Sequence, residues 1–511
     1  MSDTSANNKR IAKNTLMLYI GMLFTMFITL LTSRVVLQTL GVEDYGIYSV
    51  VGGVITMFAF INGGMVSSTQ RYLNFEIATG NAEKLRSVFN TSLQIHALIA
   101  LGIIILGETV GLWFLLEKLV IPNDRMTAAM WVYQCSIIAC AVNILSAPYN
   151  ADIIAHEKMS AFAYMTIIDA VLKLAICYAL YASPIDKLIT YAILGVVVSI
   201  ITTSIYWIYC LRKFEETSFT FRFDKALFKE IWGFAGWNLF AQTAWILNTQ
   251  GINMLMNLFF GVIVNAARGV AVQVNGIIQS FVNNFMMALN PQITKSYAAG
   301  DKDTAFRLAC RGCRFSFYIM WLFSLPIMIE SHQILELWLG TPPEQADVFV
   351  VWTILSTLAT LLGNTLVTLQ MAHGNIKHYQ IWITIFGCFP FPLTWLAFEL
   401  GAPSIISYYI YVIVYWGLIY VRYHLVHGMT GIPARMYLGG VVAKSHIVAF
   451  LSSIIPVTVF ILIPESLVRL LIVGSTSIIS SCIFIYYLGI DDAERYFIKD
   501  KVLSRIPSRL H

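Results

Sequence analysis

Charge is scarce in this chain: Asp, Glu, Lys and Arg make up 12% of its 511 residues, about half the share found in an ordinary soluble domain. Hydrophobic residues fill 58% of positions and the mean hydropathy is +0.71. A water-exposed surface cannot be assembled from that composition, which excludes a soluble fold. Catalytic signatures are lacking too: the sequence shows no nucleophile with a base beside it, no phosphate-cradling glycine loop and no His cluster at metal-ligand spacing. Its longest loops, about residues 69–87, 211–230 and 424–440, are too short for a catalytic domain. The chain is therefore expected to be no enzyme and to carry no cofactor and no metal. Cysteines number 8 and mostly fall in apolar segments, where a thiol behaves as a small hydrophobe. Cys310 and Cys313 form a lone CxxC without further ligands nearby, so a redox or metal role is not expected. No small-residue cleavage site follows the first apolar run, so that segment is expected to be retained. The net charge of +5 would suit nucleic acid only as one face of a soluble domain, and no nucleic-acid partner is expected.

What the chain has instead is long apolar runs. A crossing of the bilayer needs roughly 20 mostly apolar residues. Such runs fall at about 15–38, 46–68, 88–115, 128–149, 160–181, 188–210, 231–257, 262–290, 308–329, 347–370, 378–399, 404–423, 441–463 and 467–488. The expected fold is all-α and polytopic, with about 14 transmembrane helices. Basic residues test the topology, because short cytoplasmic loops are enriched in them. With the N-terminus inside, 26 of the 33 Lys and Arg fall inside and only Lys118, Arg125, Lys187 and Arg469 outside. Outer loops carry acids instead, among them Glu43, Asp44, Glu330 and Glu336. Both termini are then cytoplasmic.

Internal duplication is the second organising feature. A shift of 220 residues sets Gly41-Val42 on Gly261-Val262 and Ala78-Thr79-Gly80-Asn81 on Ala298-Ala299-Gly300-Asp301; a shift of 217 sets Ala155-His156 on Ala372-His373. These pairs follow spans 1 and 7, 2 and 8, and 4 and 10. A six-span shift preserves orientation, so the halves are parallel repeats about an axis along the membrane normal. The expected division is residues 1–212 as a first six-helix bundle, 213–230 as a cytoplasmic linker, 231–427 as a second bundle, 428–490 as helices 13 and 14, and 491–511 as a cytoplasmic tail.

Two such bundles leave a cleft near the midplane, where a transporter binds its cargo. Polar residues that are costly in lipid should line it. Spans 7 and 8 are rich in amides, including Asn248, Asn253, Asn265 and Gln273. Amides suit sugar hydroxyls, or alternatively hold neighbouring helices together. Arg34 and Arg268 lie at membrane depth, and a guanidinium matches phosphate oxygens bidentately, which makes both candidates for a pyrophosphate head. Arg34 could instead snorkel to the interface or pair with Glu43 or Asp44. For ion coupling the candidates are Glu108, a lone carboxyl in span 3, and Asp169 with Lys173, four apart in span 5 and equally readable as an internal ion pair. Pro148, Pro291 and Pro326 near span ends are candidate hinges.

The stretch Arg34-Val-Val-Leu-Gln-Thr-Leu-Gly41-Val-Glu-Asp-Tyr45-Gly46-Ile-Tyr48, then Gly63-Gly64, Arg71 and Ala155-His-Glu-Lys158-Met159, resembles the Wzx-type polysaccharide and O-antigen flippases of the multidrug/oligosaccharidyl-lipid/polysaccharide exporter superfamily. The resemblance covers essentially the full length. It implies a MATE-like V-shaped pair of bundles in the bacterial inner membrane that flips a polyprenyl-pyrophosphate-linked oligosaccharide by alternating access. It further implies a monomer among membrane lipid, with H+ or Na+ as the coupling ion. Arg268 falls where similar flippases place a cavity arginine. Drug-cation antiporters of the same superfamily are the alternative; their sites favour acids in spans 1 and 7, which hold none here.

Overall fold

A computed structural model describes residues 2–156, 158–218, 224–229, 246–374, 377–492 and 494–496. Side chains at 2–20, 56–68, 71, 74, 75, 78, 79, 287, 288, 291, 295 and 298 lie outside that description. The described residues form helices and turns and no strand. Among them, 11 helices are long and apolar enough to cross a membrane. The protein is thus an all-α, multi-pass membrane protein. Expected spans 2, 7 and 8 are not among the 11. The side chains of residues 56–68 in span 2 and residues 231–245 of span 7 lie outside the description, and span 8 forms a helix whose amides and arginine dilute its hydropathy.

The helices are α1 (Ser2–Thr79), α2 (Ala82–Leu106), α3 (Leu112–Glu117), α4 (Met126–Ala155), α5 (Met159–Ala179), α6 (Lys187–Lys213), α7 (Ile252–Phe260), α8 (Val262–Ala298), α9 (Lys302–Ile329), α10 (Ser331–Leu339), α11 (Ala346–Leu362), α12 (Asn364–His373), α13 (Lys377–Cys388), α14 (Pro390–Glu399), α15 (Ile406–Thr430), α16 (Lys444–Leu462) and α17 (Leu467–Phe484). Several outrun their apolar windows. Hydropathy marks the hydrocarbon core, whereas polar residues can continue a helix beyond it. Hence α4 runs on to Ala155, and α8 to Ala298. Pro148 and Pro326, expected near helix ends, therefore sit inside α4 and α9.

The 220-residue spacing recurs in backbone geometry. Gly41, with φ 83° and ψ 171°, is a non-helical kink that divides α1 into two helices, and Gly261, with φ 79° and ψ −172°, separates α7 from α8. That region suits glycine because a Cβ would be strained there. Gly80 (φ 71°) and Gly300 (φ 81°) likewise match. After each, a side-chain oxygen caps the next helix: Asn81 accepts from the Lys84 amide and Asp301 from the Thr304 amide. An unpaired donor at a helix start is thereby satisfied in both halves.

By packing, the chain divides into one unit of 1–269, 338–344 and 394–404 and a second of 270–337, 345–393 and 405–511. This grouping follows contacts rather than duplication. In the first unit α4 lies against α1, α2 and α6, around a core that includes Ile47, Val51, Val132, Tyr133 and Leu188. In the second, α9 packs on α11, α12 and α17, and α16 on α17. Cys310 and Cys313 are buried there as free thiols.

Candidate functional site

The amide-rich region is built on a close helix crossing in the first unit. A Cβ on Gly46 would sit 2.0 Å from the Val262 carbonyl oxygen, so only glycine lets the two backbones meet there. Two turns further along, Gly53 faces Gln250 and Asn253, whose side-chain atoms would lie 2.8 and 3.1 Å from a Cβ. The glycine of the Tyr45-Gly46-Ile-Tyr48 motif therefore has a packing cause.

Opposite this crossing the helix widens into a π-turn over Leu247–Gly251. Such turns rearrange the backbone hydrogen-bond ladder and recur at functional sites. Arg268 answers it: its Nη2 donates to the carbonyls of Asn248 (3.1 Å) and Thr249 (3.2 Å). The guanidinium, charged at any physiological pH, is thus fixed by the backbone. Asn253 and Asn265 are joined to each other. Asn265 Nδ2 donates to the Asn253 carbonyl (2.7 Å) and to its Oδ1 (2.9 Å). Asn248, buried, lies in the π-turn itself. Gln273 sits further along α8 and is partly buried. Asn257, whose part was not evident in the sequence, clamps a loop: its Oδ1 accepts from the Val120 amide (2.9 Å) and its Nδ2 donates to the Val120 carbonyl (3.3 Å). Buried amides here hold backbone to backbone, a role that a lone sequence cannot separate from sugar recognition.

Arg34 is exposed on α1. Leu30, Arg34 and Gln38 recur every four residues and so share one helical face. The Leu30 carbonyl accepts from Trp338 Nε1 (2.8 Å), and Gln38 donates to the Leu339 carbonyl (3.1 Å). Arg34 lies between these two anchors. Asp44, a possible partner for Arg34, takes Arg125 instead, with Nε to Oδ1 at 2.8 Å and Nη2 to Oδ2 at 2.6 Å. Arg125 Nη1 also donates to Asp186 Oδ2 (2.6 Å), and Asp186 caps α6. Partial burial would raise the Asp186 pKa, but Arg125 and the Ile189 and Leu188 amides hold it below the usual carboxylate value. In the second unit Arg469 makes two 2.8 Å bonds to Glu330, both side chains buried. Asp491 there is likewise held low against burial, by Lys444 and Arg314.

Glu108 stands in a second π-turn, Gly107–Gly111. Residues of α4 grip it: Tyr133 Oη donates to the Gly107 carbonyl (2.6 Å) and Gln134 Nε2 to Glu108 Oε2 (3.2 Å). Asp169 and Lys173 form the i,i+4 contact expected of them, Nζ to Oδ2 at 2.7 Å. These three residues occupy separate helices from the Arg268 crossing.

The described residues define a multi-pass, all-α membrane protein with an arginine fixed at a polar helix crossing. A model of the polysaccharide biosynthesis protein family matches residues 11–297, more than half of the chain. The chain belongs to that family. It is similar to an uncharacterized membrane protein, EpsK, of Bacillus subtilis (strain 168), 20% identical over 328 residues, 62% of this chain and 63% of that one. The chain thus matches less than two thirds of that curated relative's length. In fold it resembles the lipid II flippase MurJ in an inward closed conformation, with a TM-score of 0.71 at 13% identity over 95% of this chain and 100% of that one. It also resembles an inward-facing multidrug resistance MATE family transporter of the MOP superfamily, with a TM-score of 0.67 at 11% identity over 80% of this chain and 94% of that one.

Proposed function

We propose that the protein flips a polyprenyl-pyrophosphate-linked oligosaccharide across a bacterial cytoplasmic membrane for surface polysaccharide assembly. It works as a transporter and not an enzyme, by alternating access, as a monomer with both termini inside. Membership in the polysaccharide biosynthesis protein family supports this reading. The observation that carries it is Arg268, a permanent cation held by the Asn248 and Thr249 carbonyls beside a π-turn. In this role Arg268 and Arg34 hold the pyrophosphate, while Asn248 and Gln273 meet sugar hydroxyls and the Asn253–Asn265 pair shapes the wall. An ion gradient, of H+ or Na+, drives the cycle through Glu108 or the Asp169–Lys173 pair. The drug-cation antiporter reading is disfavoured by the same cation, which repels a cationic drug.

The test uses purified protein in vesicles loaded with a polyprenyl-pyrophosphate oligosaccharide, following the appearance of the sugar on the opposite face. Flipping is expected with the native chain and should fall about tenfold or more for Arg268→Gln, equivalent to about 1.4 kcal/mol or more of lost interaction. Equal flipping by both proteins contradicts the assignment of Arg268.

A further inference from the structure

Three side chains outside the polar crossing converge where α4 ends. Asp152 and His156, four apart, share the last helical face of α4, and Glu216 arrives from a turn, Glu215–Thr217, that follows α6. His156 Nε2 lies 2.6 Å from Glu216 Oε1 and 3.7 Å from Asp152 Oδ1. One ligand atom from each residue lies within 4.8 Å of the other two.

The cluster is held from several directions. The His156 ring stacks on Phe214, with centroids 4.2 Å apart and planes 10° apart, which fixes where Nε2 points. The turn bearing Glu216 is fastened by the Phe214 amide on the Cys210 carbonyl (2.8 Å) and by Asn90 Nδ2 on the Ser218 carbonyl (3.2 Å). Around it pack Leu73, Phe89, Tyr149 and Cys210.

Asp152 supplies the second, independent observation. Its side chain is fully buried, and among the described residues neither carboxylate oxygen has a hydrogen-bond donor. A hydrogen bond between His156 and Glu216 needs no third group. A buried carboxylate without donors is unfavourable unless a cation or a proton neutralises it, and Asp152 points its Oδ1 at the same imidazole nitrogen.

We propose that Asp152, His156 and Glu216 bind a first-row divalent cation of the Zn2+ or Mn2+ type. One imidazole nitrogen and two carboxylates form a donor set suited to such ions, with water completing the shell. Ligands about 2.0–2.1 Å from a tetrahedral zinc stand roughly 3.3 Å apart. The 3.7 Å separation is close to that, and the 2.6 Å one needs a shift of less than about 1 Å by the Glu216 carboxylate. A bound ion would staple the end of α4 to the turn after α6. Sequence spacing conceals the site, because Glu216 lies 60 residues from His156.

The full-length chain, stripped with chelator, is titrated calorimetrically with Zn2+ and with Mn2+ alone. One saturable site per chain is expected for at least one of the two ions, weakened about 100-fold or more by Asp152→Asn and by His156→Gln. It should persist in His332→Gln, which alters an exposed His332, Glu336 and Glu465 grouping in the other unit. X-ray absorption of the bound ion should show an imidazole ligand. His156 is partly exposed, so His156→Gln keeps the test decisive should the Asp152 variant fail size-exclusion chromatography. The absence of saturable binding overturns the proposal, as does binding that survives both variants or vanishes with His332→Gln.

Discussion

The two halves of the chain write the same Ala-His pair at the ends of α4 and α12, yet the two histidines live in different chemistry. His156 meets the buried Asp152 and Glu216. His373 shares a 2.9 Å hydrogen bond, through Nδ1, with the Tyr297 hydroxyl at an exposed position. The glycine turns tell the opposite story: Gly41 with Gly261, and Gly80 with Gly300, keep matching positive φ. Backbone-determined positions have stayed alike, and side-chain partners have diverged. A glycine at positive φ tolerates no replacement without strain, whereas a helix-end histidine can exchange partners at little conformational loss.

Gly46 sharpens the comparison most. Its counterpart 220 residues on is Ala266, fully buried, so one half holds a methyl where in the other a Cβ would meet the Val262 carbonyl oxygen at 2.0 Å. Gly46→Ala should therefore destabilise by more than about 4 kcal/mol, the range reserved for severe clashes. Ala266→Gly should lower stability by about 1–2 kcal/mol through helix propensity and a lost methyl. Monodisperse yield and thermal midpoint in detergent measure both. A Gly46→Ala protein as stable as the native chain would show that the crossing is not close.

The ion pairs give the next contrast. Glu330 and Arg469 are both buried, whereas Asp186 is nearly a third exposed in its clamp with Arg125. Glu330→Gln should lower stability by about 3–5 kcal/mol, since it leaves a buried guanidinium uncompensated. Asp186→Asn, screened by solvent, should lose about 1 kcal/mol or less. Denaturation midpoints of the two variants reversed in rank would contradict the role assigned to burial.

The smallest effect is pH dependence. Asp186 and Asp491 titrate below the usual carboxylate value in the fold. A depressed pKa stabilises the folded state above the unfolded value, near 3.9 for Asp, and that contribution is lost as pH falls through the folded value. From these two groups the thermal midpoint should be flat between about pH 7 and 5 and decline below about pH 4. Asp186→Asn should make that decline shallower. An Asp186→Asn profile that superimposes on the native one would remove the Arg125 clamp from the account.

Much of the fold was legible beforehand for a plain reason: bilayer-length apolar runs and glycine signatures are local. The ends of α5, α6 and α17 fall within a few residues of the apolar windows. The continuous α8 was legible as a crossing but not in length, because Asn290, Gln292, Thr294, Lys295 and Ser296 are polar yet helical. Site residues were legible as types and not as partners. Arg268 stood out by charge, but its grip on the Asn248 and Thr249 carbonyls depends on a π-turn that no residue pattern announces. The Asn257 clamp on Val120 and the Arg125 bridge between Asp44 and Asp186 join positions 137, 81 and 61 residues apart. The i,i+4 pair Asp152–His156 was in plain view; Glu216 was needed to give it meaning.

The central claim, transport of a lipid-linked glycan, is tested most directly by measuring polyprenyl-pyrophosphate-linked oligosaccharide on each leaflet in cells that contain the chain, lack it, or carry Arg268→Gln. Accumulation on the inner leaflet in cells lacking the chain, and partly in the Arg268→Gln cells, is the expected result. An unchanged leaflet distribution in all three would contradict the account.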